Sequence, residues 1–221
     1  MESRFRTRVK VCCISSPNEA ALAIRLGADA LGLVGRMPSG PGVVLDDLAA
    51  QIVQQTPPPI ATFMLTSETN VTDIIAHQQR VGANTVQIVD AVAPETYAQL
   101  HAALPAIKLV QVIHVIDERN LEEALQAVEN GADTLLLDSG NPNLSVKELG
   151  GTGRVHNWEI SRKIVEQSPV PVFLAGGLNI ENVRRAIDQV QPFGLDICSG
   201  VRSNGQLDAT KLEAFMNVVC G

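Results

Sequence analysis

The chain has no basic excess, no long apolar run and no paired-cysteine pattern, and each absence removes a class of function. Its net charge is −7, from 17 Lys and Arg against 24 Asp and Glu. Nucleic acids and anionic membrane surfaces favour a basic face, so neither is an expected partner. No apolar run approaches the roughly 20 residues needed to cross a bilayer. The start, Met1-Glu2-Ser3-Arg4-Phe5-Arg6, carries positive charge with no apolar stretch behind it, so it does not read as a signal peptide. A cytoplasmic location is the expectation. Cys12, Cys13, Cys198 and Cys220 show no CxxC or Cys/His ligand spacing. That argues against a structural zinc and fits free thiols in a reducing compartment.

What the chain does have is glycine in three places near its end: Gly150-Gly151-Thr152-Gly153, Leu174-Ala175-Gly176-Gly177 and Cys198-Ser199-Gly200. The second and third follow short apolar runs, Val170 to Phe173 and Phe193 to Ile197. Glycine lets a backbone approach a ligand closely, and exposed N–H groups at such turns favour an anion, usually a phosphate. Plain turns are the bland alternative for any one stretch. Three stretches spaced like successive strand-to-helix turns point to one shared phosphate site.

A weak internal repeat sets the architecture. Gly27-Ala28-Asp29 with Ala30 to Val34 is echoed by Gly82-Ala83-Asn84 with Thr85 to Val89, and by Gly131-Ala132-Asp133 with Thr134 to Asp138. Each glycine reads as a helix C-terminal cap, and each apolar run as a buried parallel strand. Eight strands are expected, at 9–14, 30–34, 60–65, 85–89, 109–115, 134–138, 170–173 and 195–198. Helical patterns follow at 18–26, 45–55, 71–81, 94–103, 118–130, 158–167, 180–191 and 208–219. Eight β-α units in 221 residues make one (β/α)8 TIM barrel domain over residues 1–221. An open doubly wound sheet is the alternative, and no GxGxxG follows the first strand to favour its dinucleotide-binding form. The long stretch from Ser139 to Val155 has no pattern of its own and would lie over the catalytic face.

Val9-Lys10-Val11-Cys12-Cys13-Ile14-Ser15 resembles the K-[IV]-C-G-[IL]-[TS] opening of the phosphoribosylanthranilate isomerases. Further matches follow in order: Leu136-Leu137-Asp138, Gly150 to Gly153 with Trp158, Leu174 to Leu178 with Glu181-Asn182-Val183, and Asp196 to Val201. The resemblance implies a small barrel isomerase of tryptophan biosynthesis that needs no metal or other cofactor and binds a phosphorylated sugar. It places Cys12 on the family's general base and Asp138 on its general acid. Taken alone, Cys12 would be a small buried hydrophobe and Asp138 a loop cap. Gly151, Thr152, Gly176, Gly177, Ser199 and Gly200 are the expected phosphate contacts, and Gln87 a further substrate contact.

The chain also departs from the family pattern. Cys13 stands where the family carries Gly. Met37-Pro38-Ser39-Gly40-Pro41-Gly42-Val43 lacks the family's Arg after strand two, for which Arg36 is the nearby substitute. Gln87-Ile88-Val89-Asp90 keeps the Gln of Q-[LV]-H-G and loses His and Gly. Gln111 or His114 falls where strand five bears Lys, and His156-Asn157-Trp158 replaces F-D-W. The phosphate end and the proton-transfer pair are therefore retained, while the end facing anthranilate is altered. The alternatives are a barrel enzyme acting on a different phosphorylated substrate, a phosphorylated sugar among them, as thiamine-phosphate synthase is a barrel of that general type, and a ligand-binding homologue without turnover. A metal-dependent epimerase is disfavoured, because His77, His101, His114 and His156 do not form its ligand set. Monomer and homodimer both remain open.

Overall fold

Each copy of the glycine-led repeat ends a helix and starts a strand. Gly82 takes a left-handed φ of 73° as the cap of its helix, and Gly27 and Gly131 do so one residue past theirs, at 99° and 118°. The computed structural model describes residues 6–221; the charged start Met1–Phe5 lies outside them. Eight parallel strands close into a barrel, β1 Arg8–Val11, β2 Ala30–Val34, β3 Ala61–Thr66, β4 Thr85–Ile88, β5 Lys108–His114, β6 Thr134–Asp138, β7 Val172–Leu174 and β8 Gly194–Ile197. Helices α1 Pro17–Arg25, α2 Asp46–Gln55, α3 Val71–Val81, α4 Glu95–Ala103, α5 Arg119–Glu129, α6 Trp158–Gln167, α7 Val183–Val190 and α8 Ala209–Cys220 alternate with them. Pairing of β1 with β8, Lys10 opposite Asp196 and Val11 opposite Ile197, closes the ring and excludes the open sheet. No helix among the described residues is long and apolar enough to cross a membrane.

Element boundaries shift where local chemistry intervenes. The first strand is shorter than expected because Cys13 turns left-handed, with φ 61°. Pro171 has no N–H for the ladder, and β7 begins after it. The segment before α7 is a turn: Asn179 and Asn182 satisfy it with their side chains, Asn182 Oδ1 accepting from Asn179 N at 2.9 Å. Between β8 and α8 lies a hairpin the sequence pattern did not signal, β9 Arg202–Ser203 against β10 Gln206–Leu207.

Strand alternation divides the apolar residues into two sets. Val9, Val11, Leu31, Leu33, Leu135, Leu137, Leu195 and Ile197 pack against the helices. Cys12, Ala30, Val34, Phe63, Leu65, Val110, Val112, Leu136, Phe173 and Ala175 fill the barrel interior. One buried ion pair interrupts that interior: Lys10 Nζ donates to Asp196 Oδ2 at 2.8 Å and lies 5.3 Å from the Phe63 ring centroid. Burial alone would neutralise Lys10, and Asp196 holds it charged. Removing one partner of such a pair typically costs about 3–5 kcal/mol.

The end of β1 is braced from outside. Ser16 caps α1, accepting from Glu19 N at 3.2 Å, while the Glu19 carboxylate accepts from Ser15 N at 2.9 Å. Glu19 also accepts from Leu207 N and pairs with Arg202, which donates to the carbonyls of Cys12 and Cys13. Burial pushes the Glu19 carboxyl up, and Arg202 with these N–H groups more than offsets it. Helix, hairpin and strand are thereby tied together just below the barrel mouth.

Candidate active site

Inward-facing positions at the C-terminal strand ends open into one cleft, of about 710 Å³ counting its mouth. Cys12 follows β1 and Asp138 ends β6, and both line it, with Gln87 of β4 between them. C-terminal strand ends are where barrels of this type carry their chemistry. Cys12 N donates to Ile197 O at 2.8 Å, which fixes its backbone against β8. Its Sγ sits against Gly32 of β2, where a Cβ would come within 2.7 Å. The missing side chain of Gly32 is thus the space that Cys12 occupies.

Asp138 is held by the segment that follows it. Its Oδ1 accepts from Ser139 N at 2.7 Å, and the Ser139 and Thr152 hydroxyls are 2.7 Å apart. A Cβ on Gly150 would stand 2.9 Å from Asp138 Oδ2. Gly150 therefore makes room for the carboxyl, a role no motif announced. Of the stretch from Ser139 to Val155, Leu149 to Gly153 line the cleft. Asn141 and Glu148 exchange two backbone hydrogen bonds near its base, and Ser39 Oγ donates to Lys147 O at 2.6 Å. The Lys147 ammonium pairs with Asp90, just past the end of β4.

The three glycine stretches meet in space. A Cβ on Gly177 would come 2.7 Å from the Arg154 carbonyl carbon, and one on Gly153 would lie 4.0 Å from Ser199 Oγ. Gly151, Thr152, Gly176, Gly177 and Ser199 line the same end of the cleft, together with Gly150 and Gly153. Gly200 does not line it: that residue packs under Leu178, whose carbonyl oxygen would be 2.2 Å from an added Cβ. Arg36 is not a lining residue either. Its side chain is exposed on the rim and its carbonyl accepts from Ser67.

The other end of the cleft is apolar, walled by Val34, Met37, Leu65, Val89 and Leu149. Among the described residues no Lys, Arg or His lines it. Gln111 faces the helices, accepting from Tyr97 Oη at 2.7 Å, and His114 is buried beside Val89 O at 2.9 Å, so neither position on β5 replaces a cleft-lining Lys. Gln87 Oε1 is buried in the cleft wall with no protein partner, which leaves an acceptor for a ligand donor. No group of three or more His, Cys, Asp or Glu able to hold a metal ion exists among the described residues.

His156, in place of an aromatic, packs behind Gly176. Its Nε2 lies 2.8 Å from Ser161 Oγ and its Nδ1 is buried without a partner. Burial lowers its pKa to about 4, with Asp138 acting weakly the other way. The unfolded chain therefore binds this proton more readily than the folded one. Stability from the neutral ring is fully present above about pH 6.5 and is lost as pH falls towards 4. His156→Phe should flatten that loss. Urea midpoints at pH 7 and pH 5 should fall further apart in the wild type than in the variant; equal differences would show that His156 does not couple folding to pH.

Comparison with known proteins agrees with this geometry. Residues 9–218 match the family model described as N-(5'phosphoribosyl)anthranilate (PRA) isomerase. An N-(5'-phosphoribosyl)anthranilate isomerase from Methanosarcina acetivorans is 36% identical over 99% of this chain and 95% of its own length. The solved isomerase of Pyrococcus furiosus superposes with a TM-score of 0.81 at 26% identity, covering 96% of this chain and 98% of that one. A phosphoribosyl anthranilate isomerase solved with reduced 1-(o-carboxyphenylamino)-1-deoxyribulose 5-phosphate has a TM-score of 0.78 at 27% identity, over 96% of this chain and 98% of that one. Barrel, cleft and near full-length kinship lead to one conclusion: the chain belongs to the N-(5'-phosphoribosyl)anthranilate isomerase family.

Proposed function

We propose that the protein converts N-(5'-phosphoribosyl)anthranilate to its 1-deoxyribulose 5-phosphate isomer, with Asp138 as general acid and Cys12 as general base. The observation that carries this reading is the shared cleft: a carboxyl and a thiol from strands across the barrel line it, and a glycine-lined end lies beside them. The substrate phosphate would take the N–H groups of Gly151, Gly176 and Gly177 with the hydroxyls of Thr152 and Ser199. The furanose would then lie between Asp138 and Cys12, and the aromatic ring among Met37, Leu65, Val89 and Leu149.

In this arrangement Asp138, carrying its proton, donates to the ring oxygen as the C1–O bond breaks, and a protonated Schiff base forms. The Cys12 thiolate takes the proton from C2, giving an enolamine. Protonation at C1 and loss of the hydroxyl proton at C2 then leave the ketone. Protons given and taken balance, so the isomerisation calls for no external reductant or oxidant. All groups come from one chain, so a monomer contains the complete site and a homodimer would carry two.

Arg36 is the cationic candidate the sequence offers for the anthranilate carboxylate, and it would have to swing in from its exposed position. Losing a charge-assisted bond costs about 1.5–3 kcal/mol, which would raise KM rather than abolish turnover. The test is turnover of freshly generated phosphoribosylanthranilate, followed as loss of its fluorescence. Turnover is the expected result. A folded chain that binds the reduced product analogue without turnover would refute the isomerase assignment in favour of a binding role.

A further inference from the structure

Three thiols converge at the junction of β1 and β8, and the proposed reaction uses only one. Cys12, Cys13 and Cys198 all line the cleft, and all are free. The sulfurs of Cys13 and Cys198 are 2.9 Å apart, roughly 1 Å beyond the length of a disulfide bond. Cys12 Sγ sits against Gly32 and also lies within hydrogen-bonding reach of Cys13. Cys13 carries its side chain to Cys198 from a left-handed backbone, with φ 61°, a conformation unfavourable for any residue but glycine. Gly42 accommodates the resulting side chain: a Cβ there would lie 2.5 Å from Cys13 Cβ.

We propose that Cys13 and Cys198 form a dithiol–disulfide site, oxidised by peroxides and restored by thiols. The two sulfurs have unlike surroundings. Hydrogen bonding with Cys13, joined by the Arg202 guanidinium, brings the Cys198 thiol below its usual range against the effect of burial. Hydrogen bonding with Cys12 and then with Cys198, together with burial, pushes Cys13 up. Cys198 is also the more exposed of the two, Cys13 being buried, so a peroxide reaches Cys198 first and Cys13 resolves. The Cys198 thiolate attacks one peroxide oxygen, the O–O bond breaks, and a sulfenic acid and one water result once protons are taken up. Cys13 sulfur then attacks the sulfenic sulfur, the S–O bond breaks, and the oxygen leaves as a second water with the Cys13 proton. The pair loses two electrons and two protons, and the peroxide gains them. The bridge ties the end of β1 to the end of β8 beside Cys12.

The test is chemical and does not depend on the isomerase reading. The reduced full-length protein is treated with hydrogen peroxide, its thiols are counted after denaturation, and its disulfide-linked peptides are mapped by mass spectrometry. The expected result is loss of two thiols, a single intrachain Cys13–Cys198 linkage and full recovery with dithiothreitol. Cys198→Ala and Cys13→Ala should each abolish that linkage. A bridge from Cys12 to either neighbour, oxidation ending on Cys12 alone, or no thiol loss under conditions that oxidise free glutathione would each overturn the proposal. Should an alanine variant fold poorly, Cys198→Ser and the rate of wild-type linkage at several pH values supply the same discrimination.

Discussion

Replacing Asp138 by Asn should lower kcat by about 10²–10⁴-fold with a much smaller change in KM, the loss expected when a positioned general acid is removed. The amide keeps the shape of the carboxyl, and its oxygen can still accept from Ser139 N, the bond that is 2.7 Å long in the native protein. The contact with Gly150 and the Ser139–Thr152 hydroxyl pair are retained, so the segment 139–155 should keep its place beside the cleft. What disappears is a proton for the ring oxygen of the sugar. Steady-state kinetics on freshly generated substrate, with affinity for the reduced product analogue as the control, separates chemistry from binding. A variant that turns over within a few-fold of the wild type would remove Asp138 from the mechanism.

Cys12→Ser should cost a similar factor, about 10²–10⁴ in kcat. A hydroxyl is a far poorer base than a thiolate at neutral pH, because the thiolate is the form a cysteine can populate there. Serine is slightly smaller than cysteine, so the pocket beside Gly32 and the backbone bond to Ile197 O are undisturbed. The decisive comparison is with Cys13→Gly, which removes the neighbouring thiol and puts at φ 61° the residue that tolerates it. Loss with Cys12→Ser and turnover with Cys13→Gly is the expected pair of results. The reverse pair would transfer the base to Cys13.

The barrel was legible because its signals are local. A glycine ending a helix followed by an apolar run long enough for one buried strand recurs in three copies, and eight alternating strand and helix patterns leave little alternative to closure. Where boundaries moved, the cause was a specific residue: Pro171 without an N–H, the Asn179–Asn182 turn, or the left-handed Cys13. Arg36 lies where local signals stop. Its position beside strand two is a matter of order along the chain, whereas its exposure on the rim depends on how the residues after Val34 turn, which side-chain pattern does not encode. Gly200 is a similar case, since its place beneath the Leu178 carbonyl depends on a loop from another strand.

By itself the sequence determined the class of fold, the order of its units, the glycine-rich end of the cleft and the residue types available for proton transfer. These follow from periodicity, caps and turn chemistry, which act over a few residues. Tertiary structure alone decided which distant groups share a space: Gly32 with Cys12, Gly150 with Asp138, Lys10 with Asp196, Arg202 with Glu19, and Cys13 with Cys198. Lys10 with Asp196, Arg202 with Glu19 and Cys13 with Cys198 meet because the barrel closes, Gly32 with Cys12 because β1 pairs with β2, and Gly150 with Asp138 because the segment after β6 turns back on the strand end. Closure sets strand neighbours, strand neighbours set which side chains face one another, and the chemistry of the cleft follows from those meetings.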